Sequence, residues 1–206
     1  MDQPQMPSPL RDAVLELARR YNFEEGHALQ DERLALRLFD ETARLGLHNL
    51  HTQTLDLELT PRQLLSCAAL LHDIGYWYGY EGHHKRAFKM IMAEPLAGLS
   101  PRGQALVAHV ARYHRGSTPD PSRHEQFAAL SAEDQQLVTR LGAILRLADG
   151  LDRTHTNAVQ DLRCELEAGR LVITLLPGMA DELEREAGQK KARWFEAVFG
   201  VEVVLK

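Results

Sequence analysis

Four places in the chain carry side chains able to do metal chemistry: His27, the pair His72-Asp73, His114 and Asp149. Each falls at the end of a helical pattern or early in one. A lone helical histidine is usually a packing or surface residue, and a lone His-Asp pair is as readily a C-terminal cap as a site. Together they offer imidazole and carboxylate donors on elements that could converge beneath one pocket. Two of these histidines with the two carboxylates suit a borderline or hard divalent ion such as Mn, Fe, Co, Ni or Zn, and leave positions open for water. No thiolate joins the set, which argues against a structural zinc. An ion with open positions lowers the pKa of its water and polarises a phosphoryl oxygen.

The element that must position two of these donors is the run Leu64-Leu65-Ser66-Cys67-Ala68-Ala69-Leu70-Leu71, which ends in His72-Asp73-Ile74-Gly75. It is apolar all round, the mark of a buried central helix. Thr60-Pro61-Arg62-Gln63 is a capping box with Pro at N1, so the helix starts there, and it is expected to end at Gly75. Ahead of it, residues 1–9 read as an extended lead-in, with Ser8-Pro9 as N-cap and N1 of a first helix. A second helix spans 24–45 and carries His27 near its start; Gly46 caps it.

After the central helix, Tyr76-Trp77-Tyr78-Gly79-Tyr80-Glu81-Gly82 reads as a loop whose aromatics either wall a pocket or cover the core. Helices follow from His83 to Ala93, from Ser100-Pro101 to His114, and from Ser131 to Gly150. The pattern then changes. Asp161–Glu167 and Leu171–Leu176 are strand-like, residues 181–198 are helical with Trp194 and Phe195 on the apolar face, and Val201–Leu205 is a last strand. The fold class is therefore mainly α. A helical bundle over 10–156 carries a ββαβ appendage over 157–206 that is too small to stand alone and must pack on the bundle.

The chain has 206 residues, a length sufficient for a real core, and a net charge of −5, which argues against a large nucleic-acid footprint. Cys67 and Cys164 form no CxxC and read as reduced packing residues, as in a cytoplasmic protein. No stretch approaches a membrane span, and the N-terminus has no signal-peptide pattern.

His27, His72-Asp73 and Asp149 resemble the H…HD…D signature of the HD superfamily of metal-dependent phosphohydrolases. The likeness is closer still to the HD-type C-terminal region of the Ppx/GppA (exopolyphosphatase and guanosine-pentaphosphate phosphatase) family. It is carried by Ala69–Gly75, Gly82-His83-His84-Lys85, Ala111–Arg115 and Leu145–Arg153, and extends over roughly residues 10–205. The resemblance implies an HD helical domain with a metal held by His27, His72, Asp73 and Asp149. The ion would be Mn, Fe, Co, Ni, Zn or Mg. A second ion would be held by His84 and His114. Arg86 departs from the family's usual histidine at that place and would offer a fixed charge to a phosphate oxygen. The family also carries two actin-like domains that hold its phosphatase activity, and residues 1–26 could not encode them. Any activity is expected from the HD site itself.

The expected function is a metal-dependent phosphohydrolase acting on a nucleotide or similar phosphate ester, with Asp73 bridging metal and water and Lys85, Arg86, Arg115 and Arg153 as candidate phosphate clamps. The alternative is a non-catalytic regulatory module that binds a phosphorylated ligand such as a guanosine polyphosphate or polyphosphate. RNA binding through Lys85, Arg86, Arg112, Arg115 and Arg123 is a weaker third reading, opposed by the acidic net charge. A homodimer is the default assembly. His48, His51, His124 and His155 read as surface residues, His109 as structural, and Asp152 as an ion-pair partner of Arg153 or Arg146.

Overall fold

The computed structural model describes residues 5–50, 58–176 and 182–206. Eight helices and three strands follow in the order α1 (Ser8–Arg20), α2 (Glu25–Arg44), α3 (Pro61–Leu71), α4 (His83–Ala93), α5 (Pro101–Arg112), α6 (Glu125–Ala128), α7 (Ala132–Gly150), β1 (Asp161–Glu167), β2 (Arg170–Leu176), α8 (Glu182–Phe199) and β3 (Glu202–Leu205). The chain is mainly α with a small C-terminal sheet, as its sequence implies.

The central helix is α3. Thr60 Oγ1 accepts from the Gln63 amide and the Gln63 side chain accepts from the Thr60 amide, so the capping box forms in full. Pro61, Gln63 and every residue from Leu64 to Leu71 are buried, and α3 packs against α1, α2, α5 and α7. Such all-round burial requires a helix without a polar face. The helix ends earlier than expected. His72 is its C-cap, Asp73 leaves helical geometry, and a 3-10 turn covers Ile74–Tyr78. Packing against α4 explains this. A Cβ at Gly75 would collide with the His83 carbonyl oxygen and lie 2.7 Å from the Ala87 amide nitrogen. Gly75 is thus a contact glycine between two backbones, and the chain turns there to let α4 approach.

The first helix also differs slightly from expectation. Ser8 is already helical, Pro7 is the N-cap residue, and no side chain caps the end. The lead-in is therefore shorter than residues 1–9. Ser100 and Ser131 cap α5 and α7 as expected, each accepting from the amide three residues on. Asp134 does not complete a reciprocal box, because its carboxylate pairs with Arg102. The short α6 lies between α5 and α7.

In the C-terminal sheet β1 runs antiparallel to β2, and β2 runs parallel to β3 through the α8 crossover, in the order β1-β2-β3. β1 lies on α2: Arg37 donates to the Leu162 carbonyl at 3.1 Å and Arg44 to that of Cys164 at 2.8 Å. α8 lies on α7. One apolar cluster runs from Leu10 through the bundle to Leu171, Phe195 and Val203, so the strands and α8 share the bundle's core. Both cysteines are free and buried, in keeping with a packing role. Among the described residues no helix is long and apolar enough to cross a membrane.

Helix α8 approaches α7 through two glycines. A Cβ on Gly150 would lie 3.0 Å from the Cα of Gly188 and 3.0 Å from Cδ of Lys191. Neither glycine carries a side chain, so the backbones come close there, the stem of Lys191 lies against Gly150 and Leu151 lies against Gly188.

Candidate metal centre

Five helices, two of them by their C-terminal ends, deliver imidazoles and carboxylates to a common point. α2 presents His27 and Asp31, one turn apart on a buried face, with His27 Nε2 3.6 Å from Asp31 Oδ2. The end of α3 presents His72, whose Nε2 lies 3.4 Å from Asp31 Oδ2 and 3.5 Å from Asp73 Oδ2. α7 presents Asp149, with Oδ1 3.8 Å from His27 Nε2. The end of α5 presents His114 and the start of α4 presents His83; their Nε2 atoms are 3.4 and 3.1 Å from Asp73 Oδ1.

The imidazoles are aimed by one recurring device. His72, His83 and His114 each donate Nδ1–H, at 2.7 Å, to the main-chain carbonyl three residues earlier: Ala69, Tyr80 and Ala111. A carbonyl can only accept, so each Nδ1 carries a proton and each Nε2 is the atom left facing the site. His27 does the same through a side chain, donating Nδ1–H to Asp152 Oδ2 at 2.8 Å. Tethering one ring nitrogen to free the other is how metal-ligating histidines are oriented.

Two overlapping groups of donors result. Ligand atoms of His27, Asp31, His72 and Asp149 all lie within 4.8 Å of one another, and so do those of His72, Asp73 and His114. Within them His27 Nε2, His72 Nε2, both Asp31 oxygens and Asp73 Oδ1 are buried without a hydrogen-bond partner. Buried polar atoms seldom remain unmatched, and a divalent cation would satisfy all of these at once. The residues present therefore fit a metal.

Electrostatics tell the same story. Burial pushes the Asp31 carboxyl up to about 7. Burial would lower His72, but the carboxylates of Asp73 and Asp31 raise it to about 10. Burial alone would raise the carboxyl of Asp73, yet His72 and His83 hold it well below the usual carboxylate range. Shifts in these directions mark a buried cluster of carboxylates and imidazoles that favours added positive charge, which an ion would supply.

Of the donors, Asp73, His83, His114 and Asp149 line a cavity of about 650 Å³, and His27, Asp31 and His72 lie behind them. Arg115 and Arg153 line it. Arg115 stacks over Tyr80 at 4.7 Å and donates to its hydroxyl at 2.9 Å. Tyr76 and Tyr80 form part of the wall, which settles the role of those two aromatics, whereas Trp77 and Tyr78 project into solvent.

Several sequence assignments change. Lys85 and Arg86 are absent from the cavity wall; Arg86 donates to the carbonyls of Gly75 (3.1 Å) and Gly79, tying down the 3-10 turn. His83 takes the place expected of His84. The two side chains leave the first turn of α4 about 100° apart, and His84 turns to Gly116 instead. Burial and the neighbouring His83 push His84 down to about 4. Asp152 serves His27, not Arg153 or Arg146. His155 is no bystander: its ring stacks on His27 at 3.7 Å, its Nδ1 pairs with Glu24 at 2.7 Å, and it lines the cavity. His48 is buried, with Nε2 3.1 Å from Thr42 Oγ1. His109 is structural as read, buried among Phe88, Tyr113 and Phe127. His51 lies outside the described residues.

Besides His83, Asp152 and His155, the sequence reading missed Asp31, Arg146 and Lys191 as site residues. Arg146 donates twice to the Tyr113 carbonyl, at 2.9 and 2.7 Å, and stacks on Trp194 at 4.6 Å. Burial lowers it to about 10, and among the described residues no carboxylate pairs with it. It is a fixed cation facing the cavity. Trp194 is accordingly part of the site as well as the anchor of the tail. Lys191, from α8, forms an ion pair with Asp149 Oδ2. Burial alone would raise the Asp149 carboxyl, but Lys191, His114 and His72 hold it below the usual range.

Compared with protein families, the chain matches the model described as Ppx/GppA phosphatase, domain III, over residues 11–184. The match takes in His27, Asp31, His72, Asp73, His83, His114, Asp149 and Asp152, and stops before Lys191. Covering most of the chain and nearly all of the buried donor cluster, it establishes that the protein belongs to the Ppx/GppA phosphatase domain III family.

Proposed function

We propose that the chain is a divalent-metal-dependent phosphohydrolase acting on a nucleotide or a similar phosphate ester. One observation carries this reading: four tethered imidazoles and the carboxylates of Asp31, Asp73 and Asp149 meet beneath a cavity lined by arginines that have no carboxylate partner among the described residues. His27, Asp31, His72 and Asp149 would hold the ion, with Asp73 shared toward His83 and His114. Imidazole donors favour Mn, Fe, Co, Ni or Zn over Mg. The ion, when bound, would acidify water and draw charge from a phosphoryl oxygen.

The protein's own groups do the rest. Asp73, kept ionised by its imidazoles, accepts a hydrogen bond from the attacking water through Oδ1 and takes its proton as the oxygen adds to phosphorus and the bond to the leaving oxygen breaks. Arg115, Arg146 and Arg153 bind the remaining phosphoryl oxygens; Arg146, already seated on Trp194 and Tyr113, loses little freedom in doing so. Asp73→Ala is expected to abolish hydrolysis in a screen of phosphate esters run with each divalent ion, and turnover that survives this substitution sinks the reading. Arg146→Ala is expected to weaken phosphate-ester binding about 10–100-fold, the loss of a charge-assisted contact. Metal affinity, measured by calorimetry, should change little.

A second reading is favoured by the Lys191–Asp149 pair. A centre that neutralises one of its own carboxylates could serve as a non-catalytic module for a phosphorylated ligand. Calorimetry with nucleotides separates the two: tight binding without turnover in any divalent ion supports the module, and turnover excludes it.

A further inference from the structure

We propose that Lys191 is a positioning residue that exchanges partners: it neutralises Asp149 while the centre lacks an ion, and contacts the substrate's phosphate once an ion has taken that carboxylate. The proposal rests on the metal-centre reading above and adds a residue that reading does not require.

The geometry begins with the crossing of α7 and α8. Gly150 and Gly188 meet with no side chain between them, and the Cδ of Lys191 lies against Gly150. Any larger residue at 150 would push that stem away, so the two glycines set the path by which the ammonium reaches its target. The target is Asp149, the neighbour of Gly150 and one of the four donors of the buried group. The Nζ pairs with Oδ2, while Oδ1 faces His27 Nε2 at 3.8 Å. One oxygen of the carboxylate is therefore committed to lysine and the other is aimed at the histidine.

A lysine and a divalent ion compete for such a carboxylate by simple electrostatics. Binding the ion beside a fixed ammonium brings like charges close, so the ammonium must withdraw. It need not go far. Lys191 is itself part of the cavity wall, with Arg115, Arg146 and Arg153 around the same space. Its side chain is about one quarter exposed, and its four-carbon stem rotates freely enough to move the charge from the floor to the opening. Arg146 cannot do this, because Tyr113 and Trp194 fix it. The floor thus carries a movable cation beside an immobile one. Arrival of the ion adds charge at the floor and frees a further phosphate ligand, beside the three arginines, above it.

This exchange has a signature that a purely structural lysine lacks: removing the ammonium should tighten one ligand and loosen another. In Lys191→Met, which keeps the stem and deletes the charge, calorimetry with Mn²⁺ alone is expected to show affinity raised about fivefold, because no ion pair has to be broken. In the Mn²⁺-loaded protein, affinity for inorganic phosphate is expected to fall about five- to tenfold. Lys191→Arg should retain wild-type phosphate affinity within about twofold. Mn²⁺ affinity that is unchanged or weaker in Lys191→Met overturns the proposal, and so does phosphate affinity that does not fall. If Lys191→Met does not fold, Zn²⁺ titration of wild-type protein labelled at lysine nitrogen decides the matter: the Lys191 resonance must shift on metal binding, and a fixed resonance overturns the exchange. Wild-type protein that binds no divalent ion removes the metal-centre reading itself, whereas wild-type binding with an indifferent variant removes only the role of Lys191.

Discussion

Saturating the protein with Mn²⁺ or Zn²⁺ is expected to raise its melting temperature by roughly 5–10 °C, and Asp31→Asn is expected to erase that rise. The size follows from linkage: a ligand at about 100 times its Kd stabilises the native state by about 2.7 kcal/mol, and a domain of this length gains about 2–4 °C per kcal/mol. The choice of residue follows from burial. Asp31 is fully buried and neither of its oxygens has a hydrogen-bond donor. Such a carboxylate costs about 1–3 kcal/mol or more to keep. It persists where an ion repays that cost, so without metal Asp31→Asn should be neutral or stabilising by up to about 2 kcal/mol.

The pH dependence has a definite sign. The Asp31 carboxyl is raised in the folded state, so the fold binds its proton more tightly than the unfolded chain does. Its contribution to stability therefore falls as pH rises from about 4, the unfolded value, to about 7. Asp73 and Asp149 are shifted the other way, and their contributions are lost only as pH falls below the ordinary carboxylate range. Metal-free wild-type protein should lose stability between pH 4 and 7 more steeply than Asp31→Asn. Melting curves with and without chelator, read across that range, check both statements. A metal-induced rise retained in Asp31→Asn would remove Asp31 from the centre.

Gly75→Ala is expected to be the most damaging single methyl group in the protein. The added Cβ would collide with the His83 carbonyl and sit 2.7 Å from the Ala87 amide, and both are backbone atoms of α4 that cannot rotate away. Overpacking typically costs about 1–3 kcal/mol, and a backbone clash lies at or above the top of that range. Moving α4 also moves His83 away from Asp73 Oδ1, so metal affinity should fall together with the melting temperature. Gly26→Ala is the matched control. A Cβ there meets nothing within 4 Å, in the first turn of α2, and alanine should be neutral or stabilising by up to about 1 kcal/mol. Equal effects from the two substitutions would refute the contact role of Gly75.

Much of this architecture was legible from local signals. Thr60 with Gln63, Ser100 and Ser131 announced their helices because a cap depends on residues a few positions apart. The His72-Asp73 pair was legible because two polar residues end an otherwise apolar helix. Asp31 was hidden for the opposite reason. It stands in Gln30-Asp31-Glu32-Arg33, where charges read as a solvated face, although its spacing of four from His27 on one helix was a usable sign. Lys191 and Arg146 were illegible because their roles depend on how α8 crosses α7 and where Trp194 falls, both long-range facts. His84 follows from the family resemblance; that His83 faces Asp73 instead depends on how α4 packs on the end of α3, another long-range fact.

The tethers of the imidazoles have a consequence for how the site tolerates genetic change. Three of the four use a main-chain carbonyl, at Ala69, Tyr80 and Ala111. Every amino acid supplies that oxygen, so any exchange at those positions that preserves the helical path leaves the acceptor in place. The aim of His72, His83 and His114 is written into backbone shape and is insulated from drift at the tethering positions. His27 alone depends on a neighbour's side chain, and Asp152 is therefore the single tether that one codon change can delete.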